Sequence, residues 1–165
     1  QLAFTDAIRV DDVVVVQKWG YAQSALFGYA LPGSAAVAPE RLQRGNVYVF
    51  YPPDRDNLFV KRLMALPGDV IALTEQGVVI NGETLPEALL SDTEELTRFS
   101  ESLDGLEYQV QYLKGLPKQP IRTFKVPAGH YFFLGDNREN SADSRHWGSV
   151  PAQRIVGEVV AIVPK

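Results

Sequence analysis

The sequence predicts a mostly β fold. Short runs rich in valine, isoleucine, phenylalanine and tyrosine recur along the chain, bounded by Gly, Pro, Asn or Asp. Two stretches break this rhythm, a loop from Tyr21 to Arg44 and Ser91 to Ser102, which combines acidic residues with helix formers. The chain has 165 residues, 45% of them hydrophobic and 22% charged. That is enough for one core with a modest excursion.

Taken in order, DDVVVVQKWGY is a strand with branched residues at its centre. A long loop with Ala, Gly and Pro follows, from Tyr21 to Arg44. GNVYVFYP is a second strand, alternating and stopped by proline. LFVKRLMAL is a third, ended by the Pro67-Gly68-Asp69 turn. DVIALTEQGVVINGETL is a hairpin about Glu75-Gln76-Gly77, with a second tight turn at Asn81-Gly82. SDTEELTRFSES, Ser91 to Ser102, is expected to be a short helix or a solvated loop, after which EYQVQYL returns to strand alternation. HYFFLGD and RIVGEVVAIVP complete the set. The expected organisation is a β core from residues 1–81 plus 126–165, with an inserted subdomain or extended excursion at 82–125. Within it, residues 83–110 are poor in apolar side chains and are expected to be peripheral, exposed and weakly ordered.

Composition excludes several chemistries. The net charge of −4, without a long run of one sign, lacks the basic patch of a nucleic-acid partner. The absence of cysteine removes thiol catalysis, disulfides and thiolate metal sites. His130 and His146 are far apart and lack metal-site spacing, so no metal is expected. No apolar run approaches the ~18–20 residues that span a bilayer. The start, QLAFTDAIRV, has no initiator methionine and no polar lead-in. It is expected to follow a segment missing here.

Two stretches stand out. In FVKRLMALPGD, Lys61 lies within an apolar strand, where the ordinary expectation is a solvent-facing amine. GDNRENSADSRHWG, residues 135–148, packs Asp136, Asn137, Arg138, Ser141, Asp143, Ser144 and Arg145 behind another apolar strand. By composition alone this is a polar surface turn. Together, LFVKRLMALPGD and GDNRENSADSRHWGSVP resemble the lysine box and the C-terminal box of type I signal peptidase, or leader peptidase. RGNVYVFYPP, DDVVVVQKWGY and VPAGHYFFLGDN resemble further segments of that family. The likeness covers most of the chain outside residues 82–110. The insertion and the ADSRHWG ending resemble its Gram-negative branch.

The resemblance implies a signal-peptidase-like, LexA-related β core and a serine endopeptidase that uses a Ser-Lys dyad. Lys61 would be the general base, which requires a neutral amine. Burial among Phe59, Val60, Leu63 and Met64 would favour that form. The expectation is therefore a largely buried Lys61 with no paired carboxylate. Ser141 would hydrogen-bond the amine and orient it, and an Asp143–Arg145 ion pair would support the loop. Asp136 and Arg138 would be structural. No cofactor is implied.

The nucleophile box departs from the family pattern. Counting back from Asp11-Asp12 puts Ala3 at the serine and Phe4 at the methionine. Asp6 replaces the expected proline, and Gln1 replaces a side-chain oxyanion donor. Three explanations stay open. Ala3 is an engineered replacement, the chain is a natural non-catalytic homologue that binds signal peptides, or another serine acts, with Ser24 and Ser34 upstream of Lys61. With Ala3 at the nucleophile position, this form would be inactive. The Cβ of Ala3 is expected within a serine's reach of the Lys61 amine.

The implied substrates are signal peptides of exported preproteins with small residues at −1 and −3, bound as an extended strand. Ile8, Val14, Val49, Phe59 and Val60 align with the pocket-lining segments, though each suits plain core packing equally well. The family's position is the inner (cytoplasmic) membrane, with the catalytic domain on the periplasmic side. This chain would be a soluble fragment without the transmembrane segment, touching the bilayer surface near Phe4, Trp19 and Phe27. LexA-like self-cleaving repressors share the dyad chemistry, but nothing in the composition supports a DNA-linked role.

Overall fold

A computed structural model describes residues 12–18, 25–26, 29–30, 38–117 and 120–163. Its main sheet has six antiparallel-paired strands. In spatial order they are β1 (Val13–Lys18), β15 (Ile155–Val163), β4 (Val47–Phe50), β5 (Phe59–Ala65), β13 (His130–Leu134) and β14 (Val150–Pro151). The lysine strand β5 is thus interior, hydrogen-bonded to β4 on one side and β13 on the other.

A second sheet has the order β12 (Arg122–Lys125), β6 (Val70–Thr74), β7 (Gly77–Ile80) and β8 (Glu83–Thr84). Its tight turn is Asn81-Gly82, with φ of 52° and 84°. Two successive positive φ values are what a two-residue turn needs to match the twist of its flanking strands, and Asn-Gly tolerates them best. β2 (Ala25–Leu26) and β3 (Tyr29–Ala30) form a separate short pair.

The third sheet is β11 (Leu106–Leu113), β10 (Leu96–Leu103) and β9 (Glu87–Asp92). Residues 91–102 are therefore mainly strand, where a short helix or solvated loop was expected. Asp104-Gly105, with φ of 51° and 81°, closes the β10–β11 hairpin, with Leu103 opposite Leu106. The local turn and the cross-strand ladder outweigh the helix propensity of the acidic run.

Residues 83–110 also pack more tightly than their composition suggests. Leu85, Leu103, Tyr108 and Val110 are buried in one cluster with Met64, Ala65, Phe132 and Leu134 of the main sheet. The opposite face of β5 belongs to a second cluster, containing Tyr48, Phe50, Leu63, Phe133 and Ile155. The segment is thus anchored along one face, because a strand pair needs only one apolar face to join a core, while β9 stays largely exposed as expected.

Since Leu103 is 3% exposed in the shared cluster, Leu103→Ala should lower the free energy of unfolding by ~2–5 kcal/mol. Urea denaturation should show one transition displaced to lower midpoint. A separate early transition with the main one unmoved would mean that the insertion unfolds on its own.

Candidate active site

Strand alternation decides what surrounds Lys61. Tyr48 pairs opposite Lys61, and Val49 opposite Val60. Side chains at alternate positions share a face, so Lys61 lies with Phe59, Leu63 and Tyr48, while Val60 and Val49 point the other way. Val14, Val49 and Val60 meet in a small cluster with Val47 and Val159. Phe59 instead packs edge-to-face on Trp147, with ring centroids 4.9 Å apart. Four of the five aligned pocket residues are thus divided between two faces, and the fifth, Ile8, lies outside the described residues. So do Ala3, Gln1, Phe4, Trp19, Ser24, Phe27 and Ser34.

The loop after β13 is tied back onto its own strand. Asp143 caps the short helix α1 (Ser144–Trp147) by accepting the Arg145 backbone N–H at 3.2 Å. Its Oδ2 accepts the Gly135 N–H at 2.9 Å. Arg145 donates from Nε and Nη2 to the two carboxylate oxygens at 2.8 and 2.7 Å. Ser144 Oγ accepts the Phe133 N–H at 3.0 Å. These bonds set Ser141 against Gly135. A Cβ at position 135 would stand 2.0 Å from Ser141 Oγ and 3.6 Å from Lys61 Cδ. The space that glycine leaves open is therefore occupied by the serine, beside the lysine stem.

Lys61 itself is partly buried. Burial lowers the pKa of its amine, while the nearby Asp143 and Asp136 oppose the shift and Arg145 adds to it. Desolvation wins because both carboxylates already face guanidinium groups: Asp143 pairs with Arg145, and Asp136 with Arg62 at 2.7 Å. Among the described residues no carboxylate lies within ion-pair distance of Lys61. The Ser141 hydroxyl is buried and has no hydrogen-bond partner there, so the expected bond to the amine is absent in this structure. Chemically, the arrangement offers a desolvated amine whose pKa is lowered, on a stem that runs beside a buried hydroxyl.

Two further ion pairs brace the loop. Arg62 donates to both oxygens of Asp136 and to the Gly45 carbonyl, with its guanidinium 3.9 Å from the centre of the Tyr108 ring. Arg138 binds both oxygens of Glu101, which also accepts the Tyr108 hydroxyl at 2.6 Å. Glu101 and Tyr108 were missed in the sequence, whereas Arg138 was expected to be structural. Inward alternation through SESLDGLEYQV, with Glu101 opposite Tyr108, is the signal that could have found them. His130 is a half-buried residue whose Nδ1 lies 2.8 Å from the Ala128 carbonyl, and His146 is exposed. The described residues hold no group of three potential metal ligands, and no helix among them is long and apolar enough to cross a membrane.

With this geometry in hand, comparison with known proteins is decisive. The family model described as signal peptidase, peptidase S26, matches residues 3–164. The chain belongs to that family. It is 36% identical over 176 residues to signal peptidase I of Pseudomonas fluorescens, covering 94% of this chain and 59% of the relative. The corresponding protein of Pseudomonas aeruginosa is 33% identical over 174 residues, with the same coverage. The chain therefore spans less than two thirds of the length of these relatives. A crystal structure of signal peptidase I from Enterococcus faecalis is 25% identical with a TM-score of 0.49, covering 72% of this chain and 97% of that one.

Two measurements follow from the geometry. Below its folded-state pKa, Lys61 is charged in both states and the folded chain carries the full desolvation cost. Between that lowered value and the ordinary 10.5, the unfolded chain binds the extra proton, so stability rises with pH. Lys61→Met should raise the urea midpoint at neutral pH and flatten its climb toward about pH 10. Unchanged slopes would show an unperturbed amine, as would an NMR titration of Nζ at its ordinary value. Separately, Glu101→Gln leaves a buried guanidinium without its counter-charge. It should cost about 3–5 kcal/mol in the same assay. A loss below about 1 kcal/mol would mean that the pair contributes little.

Proposed function

We propose that this chain is a signal-peptidase catalytic domain that binds the signal peptides of exported preproteins in the geometry for Ser-Lys cleavage. Ala3 stands where the nucleophilic serine would be, so this form binds without cutting. The observation that carries the reading is Lys61: burial lowers the pKa of its amine, and its stem runs beside the space at Gly135 that the Ser141 hydroxyl fills. A serine at position 3 would lose its proton to the neutral Lys61 amine as its oxygen attacks the scissile carbonyl. The residue 3 backbone N–H would hold the developing oxyanion. Lys61 would then return its proton to the leaving amine and later take one from the water that hydrolyses the acyl-enzyme. Ser141 supports the amine through contact with its stem, and the Asp143–Arg145 pair holds that loop.

The substrate would lie extended, with small residues at −1 and −3. By the family resemblance Ile8, Val14, Val49, Phe59 and Val60 would contact the substrate, Phe59 from the Lys61 face of the sheet and Val14, Val49 and Val60 from the other. The site would work at the periplasmic face of the inner membrane, close to the lipid surface, with residues 1–81 and 126–165 as catalytic core and 82–125 as inserted subdomain. A second reading, a natural signal-peptide-binding homologue without activity, is favoured by Ala3 itself together with Asp6 and Gln1 in the same box.

Ala3→Ser decides between them. On the first reading it confers cleavage of a peptide with Ala at −1 and −3 in detergent or lipid, and Lys61→Ala in that background abolishes it. Tight binding of the peptide by Ala3→Ser without cleavage would support the binding homologue.

A further inference from the structure

One side of the Lys61 amine is aromatic. Its Nζ stands 6.0 Å from the centre of the Phe59 ring, and that ring packs edge-to-face on Trp147. Both rings are partly buried against the cluster that contains Tyr48, Phe50 and Leu63. The indole Nε1 of Trp147 has no hydrogen-bond partner among the described residues, so no polar bond fixes how that ring lies.

Arg55 lies over the pair. Its guanidinium carbon is 5.1 Å from the centre of the Trp147 ring and 5.9 Å from that of Phe59. A guanidinium is attracted to aromatic faces, and its plane stacks on them as an ammonium does not. The contact joins two segments that reach the lysine separately: Arg55 belongs to the connection between β4 and β5, and Trp147 to helix α1.

The connection is itself tied down. Arg154, just before β15, donates to the Tyr51 carbonyl at 3.1 Å and to the Arg55 carbonyl at 2.6 Å. The Arg55 N–H donates to the Pro52 carbonyl at 3.3 Å. The backbone of Arg55 is therefore held while its side chain, 46% exposed, reaches the rings. Its charge is partly offset by Asp54, whose carboxylate lies 3.5 Å from Nε, and exposed charges are screened by salt. The stronger influence open to Arg55 runs through the rings. Held in place, they keep water from the Lys61 amine, and desolvation is the main cause of its lowered pKa.

We propose that Arg55 is a positioning residue for Lys61: its guanidinium pins the Phe59–Trp147 pair beside the amine and so keeps solvent away from it. The inference rests on the reading of Lys61 as the general base.

The test is an NMR titration of Nζ in the chain with isotope-labelled lysine, the Lys61 signal being assigned by its loss in Lys61→Met. Tyr48 faces the amine from β4, and Asp136, Asp143 and Arg145 act on it from the 135–145 loop; all four stay in place in the variants. Arg55→Ala should raise the Lys61 midpoint by about 0.5 or more toward 10.5, and weaken the NOEs between the Phe59 and Trp147 rings. Arg55→Lys, which keeps the charge and loses the plane, should recover less than about half of that change. Leu103→Ala, which loosens the core on the other face of β5, should leave the midpoint unmoved. An ordinary midpoint in the unaltered chain would overturn the base reading and this inference together. A lowered midpoint that Arg55→Ala leaves in place would overturn this inference alone. So would full recovery by Arg55→Lys, the mark of charge acting through space, or an equal shift in Leu103→Ala, the mark of general loosening.

Discussion

Four hydrogen bonds converge on Asp143, a carboxylate with no solvent exposure: one from Gly135, one from the Arg145 backbone and two from the Arg145 side chain. A buried carboxylate survives only when its charge and lone pairs are matched. Matching them here requires the chain to leave β13, turn through eight residues and return within bonding distance of where it left. The position of Ser141 beside Lys61 follows from that closure. So does the state of the lysine, because an Asp143 already committed to Arg145 is less effective at holding a proton on the neighbouring amine.

The same logic extends outward through two more guanidinium–carboxylate pairs. Arg62–Asp136 ties the loop to the lysine strand, and Arg138–Glu101 ties it to the β9–β11 sheet. Tyr108 joins them, with its ring under Arg62 and its hydroxyl on Glu101. Such buried pairs contribute little net stability compared with apolar packing, but breaking one is costly. They fix the relative placement of three chain segments that are far apart in sequence, and the polar network thus reaches from the candidate active site to the β9–β11 sheet.

Much of this fold was legible. The strands containing Val47, Lys61, Val70, Phe132 and Val159 follow from alternation and from Gly, Pro and Asn punctuation. The Asn81-Gly82 turn follows from its dipeptide. Asp104-Gly105 carries the same signal, but the acidic run before it drew the eye to helix propensity. What alternation cannot tell is the partner of a strand. Nothing local to Glu101 says that Arg138 binds it, and although alternation puts Phe59 and Val60 on opposite faces, nothing local to Val60 says that Val14 packs with it. The Asp143–Arg145 pair came from family resemblance, whereas the Ser141 contact with Gly135 needed coordinates, because it depends on the absence of one carbon atom.

The placement of β15 between β1 and β4 has a consequence for how the molecule assembles. Val13 pairs with Val163, and Tyr48 with Glu158. Neither early strand can complete its ladder until the far C-terminal segment has been synthesised. Closing such a long loop is slow, and until it closes the valine run at 13–16 presents an open edge of high β propensity. A chain of this topology is therefore exposed to intermolecular strand pairing until residues 155–163 dock. Its dependence on holding factors should be set less by the stability of the finished fold than by the delay before β15 arrives.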